Sequence, residues 1–164
     1  MLDYHGLKKA SYNAIVLLGR LGSRVLRVGG NYIFTREGSR YQLLIYNLAA
    51  FDYMFSLIDS SAIDSSHRYS IYASSDSLYF NIAVTLPKGT YYIKKSEVNR
   101  RYGSAYDLWG DIGAPPVLHK DIEDYIRESS VPHVTYTVQH VEHTLLLDEE
   151  IPCHGVMLLE IMPR

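Results

Sequence analysis

Two hydrophobic periods alternate along the chain. From Lys8 to Leu21 the apolar residues Ala14, Leu17, Leu18 and Leu21 recur at i, i+3, i+4 and i+7, which predicts a helix that Gly22 can stop. Tyr12, Ile15 and Val16 give that helix a second apolar face, the pattern of a helix buried on more than one side. Either it is a central core helix, or its second partner lies outside this chain.

After Gly22 the period falls to 2. Arg24 to Val28 and Asn31 to Arg36 read as short strands around a tight turn at Gly29-Gly30-Asn31. Tyr41 to Asn47 is apolar on both faces, Leu43 and Ile45 on one and Leu44 and Tyr46 on the other, as an interior strand would be. Leu78, Phe80, Ile82, Val84 and Leu86 share one face, with Tyr79, Asn81, Ala83 and Thr85 on the other. Pro87-Lys88-Gly89 then supplies a turn, and Thr90 to Asn99 is expected to return as the partner strand. Thr135 to Val141, Thr144 to Leu147 and Gly155 to Met162 complete the strands. A second helix, near 118–129, carries the stripe Leu118, Ile122, Tyr125 and Ile126 between Pro116 and Pro132. The segment from Asp59 to Ser77 holds eight serines and no sustained period, so it reads as a surface excursion with one short strand at Arg68 to Tyr72. The expected fold class is mainly β: an antiparallel β-sandwich with an N-terminal helix and one flanking helix.

Composition narrows the chemistry. The 164 residues carry 16 Lys+Arg against 18 Asp+Glu, so no broad basic surface for nucleic acid is expected of this chain. A local cluster of Lys94, Lys95, Arg100 and Arg101 reads as a solvated face. The lone Cys153 excludes an internal disulfide. No apolar run reaches membrane length and no leader pattern opens the sequence, which sets cytoplasmic as the expected location and no membrane as the expected partner. Fifteen tyrosines favour strands and half-wet aromatic surfaces.

No catalytic constellation emerges. Glu97, Asp107, Asp111 and Glu160 lie outside any recognisable acid/base context. His140 and His143 flank a tight turn near Glu142, on strands that send them to opposite faces, and make a poor metal pair. Cys153 beside His154 reads as a packed thiol next to a polar rim residue. Neither a phosphate-binding glycine motif nor a nucleophile elbow is present. No metal or cofactor is expected.

The densest stretch is Val98 to Pro116, where the sole tryptophan, two tyrosines, two arginines and two aspartates share a loop with three glycines. Arg100, Arg101, Tyr102, Tyr106, Asp107 and Trp109 are the candidates there for binding or docking. The structural alternative has Asp107 capping a helical turn and Trp109 plugging the end of the sandwich.

This stretch also carries a resemblance. Asn99-Arg100-Arg101-Tyr102-Gly103-Ser104-Ala105-Tyr106-Asp107-Leu108-Trp109, followed by Gly113-Ala114-Pro115, is similar to a segment of glycoside hydrolase family 39, the β-xylosidase family. Tyr4 to Ala14 resembles the end of that family's catalytic barrel, and Tyr41 to Asn47 one of its sandwich strands. The resemblance implies a C-terminal part: residues 1–22 as the last barrel helix and 23–164 as the accessory sandwich. The barrel would then be the partner of the helix's second face. The family's acid/base glutamate lies in an Asn-Glu-Pro motif that this chain lacks, so no catalytic residue carries over and no enzyme activity is expected of it.

A similar barrel and sandwich tail occurs in some large AraC-type transcription regulators. Arg101-Tyr102, where the hydrolases often carry an acidic residue and a histidine, leans towards that class. The expected roles are thus an accessory domain supporting a barrel, a sugar-sensing or oligomerisation module of a regulator, or a free-standing carbohydrate-binding module. Sugar and a second copy of the chain are the remaining expected partners.

Overall fold

A computed structural model describes Asp3 and residues 6–50, 68–72 and 76–164. Helix α1 (Ala10–Leu18) is followed by strands β1 (Arg24–Val28), β2 (Tyr32–Glu37) and β3 (Arg40–Tyr46). Then come β4 (Leu78–Thr85), β5 (Gly89–Val98), helices α2 (Ala105–Asp111) and α3 (Lys120–Ser129), and strands β6 (His133–Val141), β7 (Thr144–Ile151) and β8 (Val156–Pro163). Six strands form one antiparallel sheet in the order β1-β2-β3-β8-β5-β6, and β4-β7 form a second that faces it. The fold is the expected antiparallel sandwich with helices.

Strand pairing departs from expectation at one place. β4 does not pair with β5: it pairs with β7, Leu78 opposite Ile151, while β5 lies between β6 and β8. Pro87-Lys88-Gly89 is therefore an arch between the sheets, not a hairpin turn. A turn sequence fixes a reversal of direction, and burial of both apolar faces decides which strand lies alongside.

The alternation of each strand shows in the packing. Leu43 and Ile45 join Val84, Ile93, Leu145, Ile161 and their neighbours between the sheets. Leu44, on the opposite face of β3, meets Leu17 of α1 together with Val98 and Leu158. At ~1.5–3 kcal/mol per buried aliphatic side chain, both faces of the large sheet contribute substantially. Helix α1 uses only part of its apolar surface: Leu17 is fully buried, whereas Ile15, Val16 and Leu18 are exposed. Its other buried residue is polar. Asn13 Nδ2 donates to the carbonyls of Gly103 at 2.9 Å and Ser130 at 3.1 Å, tying the helix to the dense loop and to the end of α3.

The serine-rich excursion lies largely outside the described residues. Of the strand expected at Arg68 to Tyr72, residues 68–71 form a turn and only Tyr72 makes a bridge. The Tyr72 amide donates to the Tyr69 carbonyl at 3.2 Å, closing that turn locally.

Candidate functional site

The dense loop leaves β5, turns at Asn99 and enters α2. Asn99 Oδ1 accepts from the amides of Arg101 at 2.8 Å and Tyr102 at 3.0 Å, an Asx-type turn. Gly103 follows with φ +73°, a conformation that favours glycine, and a Cβ there would lie 3.3 Å from Val98. Ser104 then caps α2. Its Oγ accepts from the Asp107 amide at 3.3 Å, the N-cap bond, and donates to Asp107 Oδ2 at 2.5 Å, joining cap and first-turn carboxylate side chain to side chain.

Asp107 is buried and fully engaged. The Tyr69 hydroxyl lies 2.7 Å from each carboxylate oxygen, and Arg68 Nε donates to Oδ1 at 3.1 Å. Arg68 also reaches exposed Asp111 at 3.4 Å. Burial works against the Arg68 charge, but the hydrogen bond to Asp107 and its negative charge outweigh it and raise the guanidinium's affinity for its proton. Burial, the hydrogen bond to Asp107 and the Asp107 charge together push the Tyr69 hydroxyl well above its ordinary range. Ser104, Tyr69 and Arg68 thus converge on this one carboxylate.

Arg100 stacks on the ring of the same tyrosine, its guanidinium 3.4 Å from the Tyr69 ring centre. His154, at φ +61°, meets the Tyr72 ring at a tilt with centroids 4.1 Å apart and stacks on Tyr69 at 6.0 Å. Burial and the nearby Arg100 lower the His154 pKa, with Asp107 pulling the other way.

Of the remaining candidates Arg101 and Tyr102 lie apart from this cluster, whereas the Tyr106 ring is 5.9 Å from the Arg68 guanidinium. Arg101 is exposed and lies 5.6 Å from the Tyr102 ring, which stacks on His133 at 4.5 Å. Tyr106, also exposed, stacks on Trp109 with centroids 5.8 Å apart. The Trp109 indole donates to the Pro115 carbonyl at 3.0 Å, and its ring packs against the cluster of Leu7, Ala105 and Ile126 beneath α2 and α3. Trp109 thus plugs the helix pair and not the sandwich end. Tyr69, Tyr106 and Trp109 share the lining of a largely apolar groove of about 590 Å³ beside the start of α1.

The basic cluster does not form one patch. Lys94 pairs with Glu160 at 3.3 Å, whereas Lys95, on the opposite face of β5, pairs with Glu149 of the second sheet at 3.0 Å. Glu97 lies 3.3 Å from His133. Among the described residues, no three His, Cys, Asp or Glu side chains gather as metal ligands. No helix of the described residues is long and apolar enough to cross a membrane.

Sequence reading missed Arg68, Tyr69 and His154. The first two sit in a stretch without periodicity, and His154 follows a strand it does not share, so only the three-dimensional meeting reveals them.

Comparison with known proteins places the fold first. A monomeric β-xylosidase from Caulobacter crescentus CB15 superposes with a TM-score of 0.76 at 18% identity, over 99% of this chain and 32% of the xylosidase. A GH39 enzyme from Xanthomonas axonopodis pv. citri gives 0.74 at 17% identity, over 99% and 32%. At these identities the likeness is one of fold: the chain has the architecture of about a third of a GH39 enzyme.

In sequence the chain is similar to an uncharacterized HTH-type transcriptional regulator of Staphylococcus aureus strain MRSA252, 25% identical over 159 residues. That match takes in 97% of this chain and 20% of the regulator, so the chain spans about a fifth of its curated relative's length. No protein-family model matches the chain.

Proposed function

We propose that the chain is a non-catalytic accessory β-sandwich of a longer protein laid out like the family 39 hydrolases, and that this longer protein is a transcription regulator. The observation that carries the reading is the pair of likenesses: a fold shared with a third of a β-xylosidase, and a sequence similar to a fifth of an HTH-type regulator. The site agrees with a supporting role. Asp107, the buried carboxylate of the dense loop, is committed to Ser104, Tyr69 and Arg68. Those bonds hold the dense loop to the excursion, which is work for a scaffold. The exposed apolar side of α1, with Ile15, Val16 and Leu18, is the surface on which a barrel would rest.

A second reading keeps the same module but gives it a β-xylosidase parent. The TM-scores favour it, because both solved neighbours are GH39 or xylosidase enzymes. The coding sequence on either side of the chain separates the two. A helix-turn-helix region ahead of a barrel that lacks the Asn-Glu-Pro glutamate supports the regulator. An intact barrel with that motif supports the hydrolase. A reading frame that adds neither overturns the accessory role.

A further inference from the structure

Arg100 has hydrogen-bond donors that its surroundings do not satisfy. Its Nε and Nη2 are buried and have no hydrogen-bond partner among the described residues, and the same is true of His154 Nε2 nearby. Arg68, the other cation of the cluster, is paired with Asp107 and Asp111, whereas no ion pair to Arg100 is found among the described residues. A buried guanidinium without an acceptor is costly, and such groups are ordinarily paired.

Arg100 also stands at an opening. With Arg101, Asn99, Tyr102, Pro152 and Cys153 it lines a cavity of about 390 Å³ at the end where β5 leaves the sheet and the β7–β8 turn comes back. Two of the six lining residues are arginines, and among the described residues no carboxylate lines it. Among the described residues no hydrogen bond reaches Arg100 Nε or Nη2. The side chain stacks on Tyr69, and a planar guanidinium fork is the group that matches two oxygens of one anion. His154 is held in a left-handed backbone conformation beside it, a strained placement of the kind found at ligand sites.

We propose that this cavity is a binding site for a small oxyanion, the phosphate or carboxylate group of a soluble ligand, with Arg100 as the principal contact and Arg101 at the rim. The site stands apart from the reading of the chain as an accessory module. An uncharged sugar has no group for this fork and is not its ligand.

The test is isothermal titration of the full-length protein with inorganic phosphate, acetate and, as the neutral control, xylose. Saturable heat with at least one anion and none with xylose is expected; the stronger of the two anions tells whether a phosphorylated or a carboxylated ligand fits. Arg100→Lys keeps the charge but loses the fork, and weakens binding by about tenfold. Arg101→Gln alters an exposed position that leaves the fold intact, and weakens it severalfold. No saturable heat with either anion overturns the proposal, as does an affinity that neither substitution changes.

Discussion

The hydroxyl of Tyr69 lies 2.7 Å from both carboxylate oxygens of Asp107, across 38 residues of sequence. With the Ser104 hydroxyl and Arg68 on the same carboxylate, it joins the serine-rich excursion to the helical loop. Breaking such a buried ionic network from one side leaves the other partner uncompensated. Asp107→Asn should therefore cost about 3 kcal/mol, read from urea unfolding midpoints at neutral pH. A loss below ~0.5 kcal/mol would show that the network holds nothing together.

Tyr69 makes the same contact visible at high pH. Its folded pKa is raised above the ordinary value of 10.0, so the stabilisation is complete below that value and is lost as pH climbs beyond it. Tyr69→Phe removes the titrating group. Unfolding free energy measured from pH 9 upwards should fall more steeply in the parent protein than in the variant, and parallel slopes would contradict the assignment.

His154 works in the opposite direction. The folded chain, with Arg100, Asp107, Tyr69 and Tyr72 around the ring, lowers its pKa from 6.5, chiefly by burial. The contribution is present above 6.5 and is lost as the pH drops, because the unfolded chain then takes up a proton that the folded one resists. Asn tolerates the left-handed backbone at this position. His154→Asn should thus flatten the stability profile on the acid side of neutrality. An unchanged acid limb in denaturant titrations would rule this out.

At Asn13 the prediction concerns how the first helix is held. Replacing it with leucine strands the buried carbonyls of Gly103 and Ser130 and should cost about 2 kcal/mol. Thermal unfolding reads this directly, and a variant as stable as the parent would mean that α1 is held by Leu17 and its apolar neighbours alone.

The sandwich was legible because alternation survives in almost every strand. Leu43 and Ile45 face one core and Leu44 the other, as their two-sided pattern requires. What the pattern does not encode is partnership. β4 and β5 are adjacent in sequence and lie in different sheets, because a turn specifies only where the chain reverses. The candidate site was half legible. Asp107 and Arg100 stood out in a dense loop, but their partners Tyr69 and His154 come from a stretch without period and from a tight turn, where no spacing rule announces a contact. Asn13 escaped for a related reason: a polar residue on an apolar helix gives no sign that it is buried until the carbonyls it satisfies are in view.

The central claim is that this sandwich supports a longer protein and catalyses no glycoside hydrolysis itself. The most direct test is hydrolysis of nitrophenyl β-xyloside by the purified 164-residue chain beside a matched blank. The account predicts a rate equal to the blank, with Asp107→Asn leaving it unchanged. A rate above the blank that Asp107→Asn abolishes would contradict it.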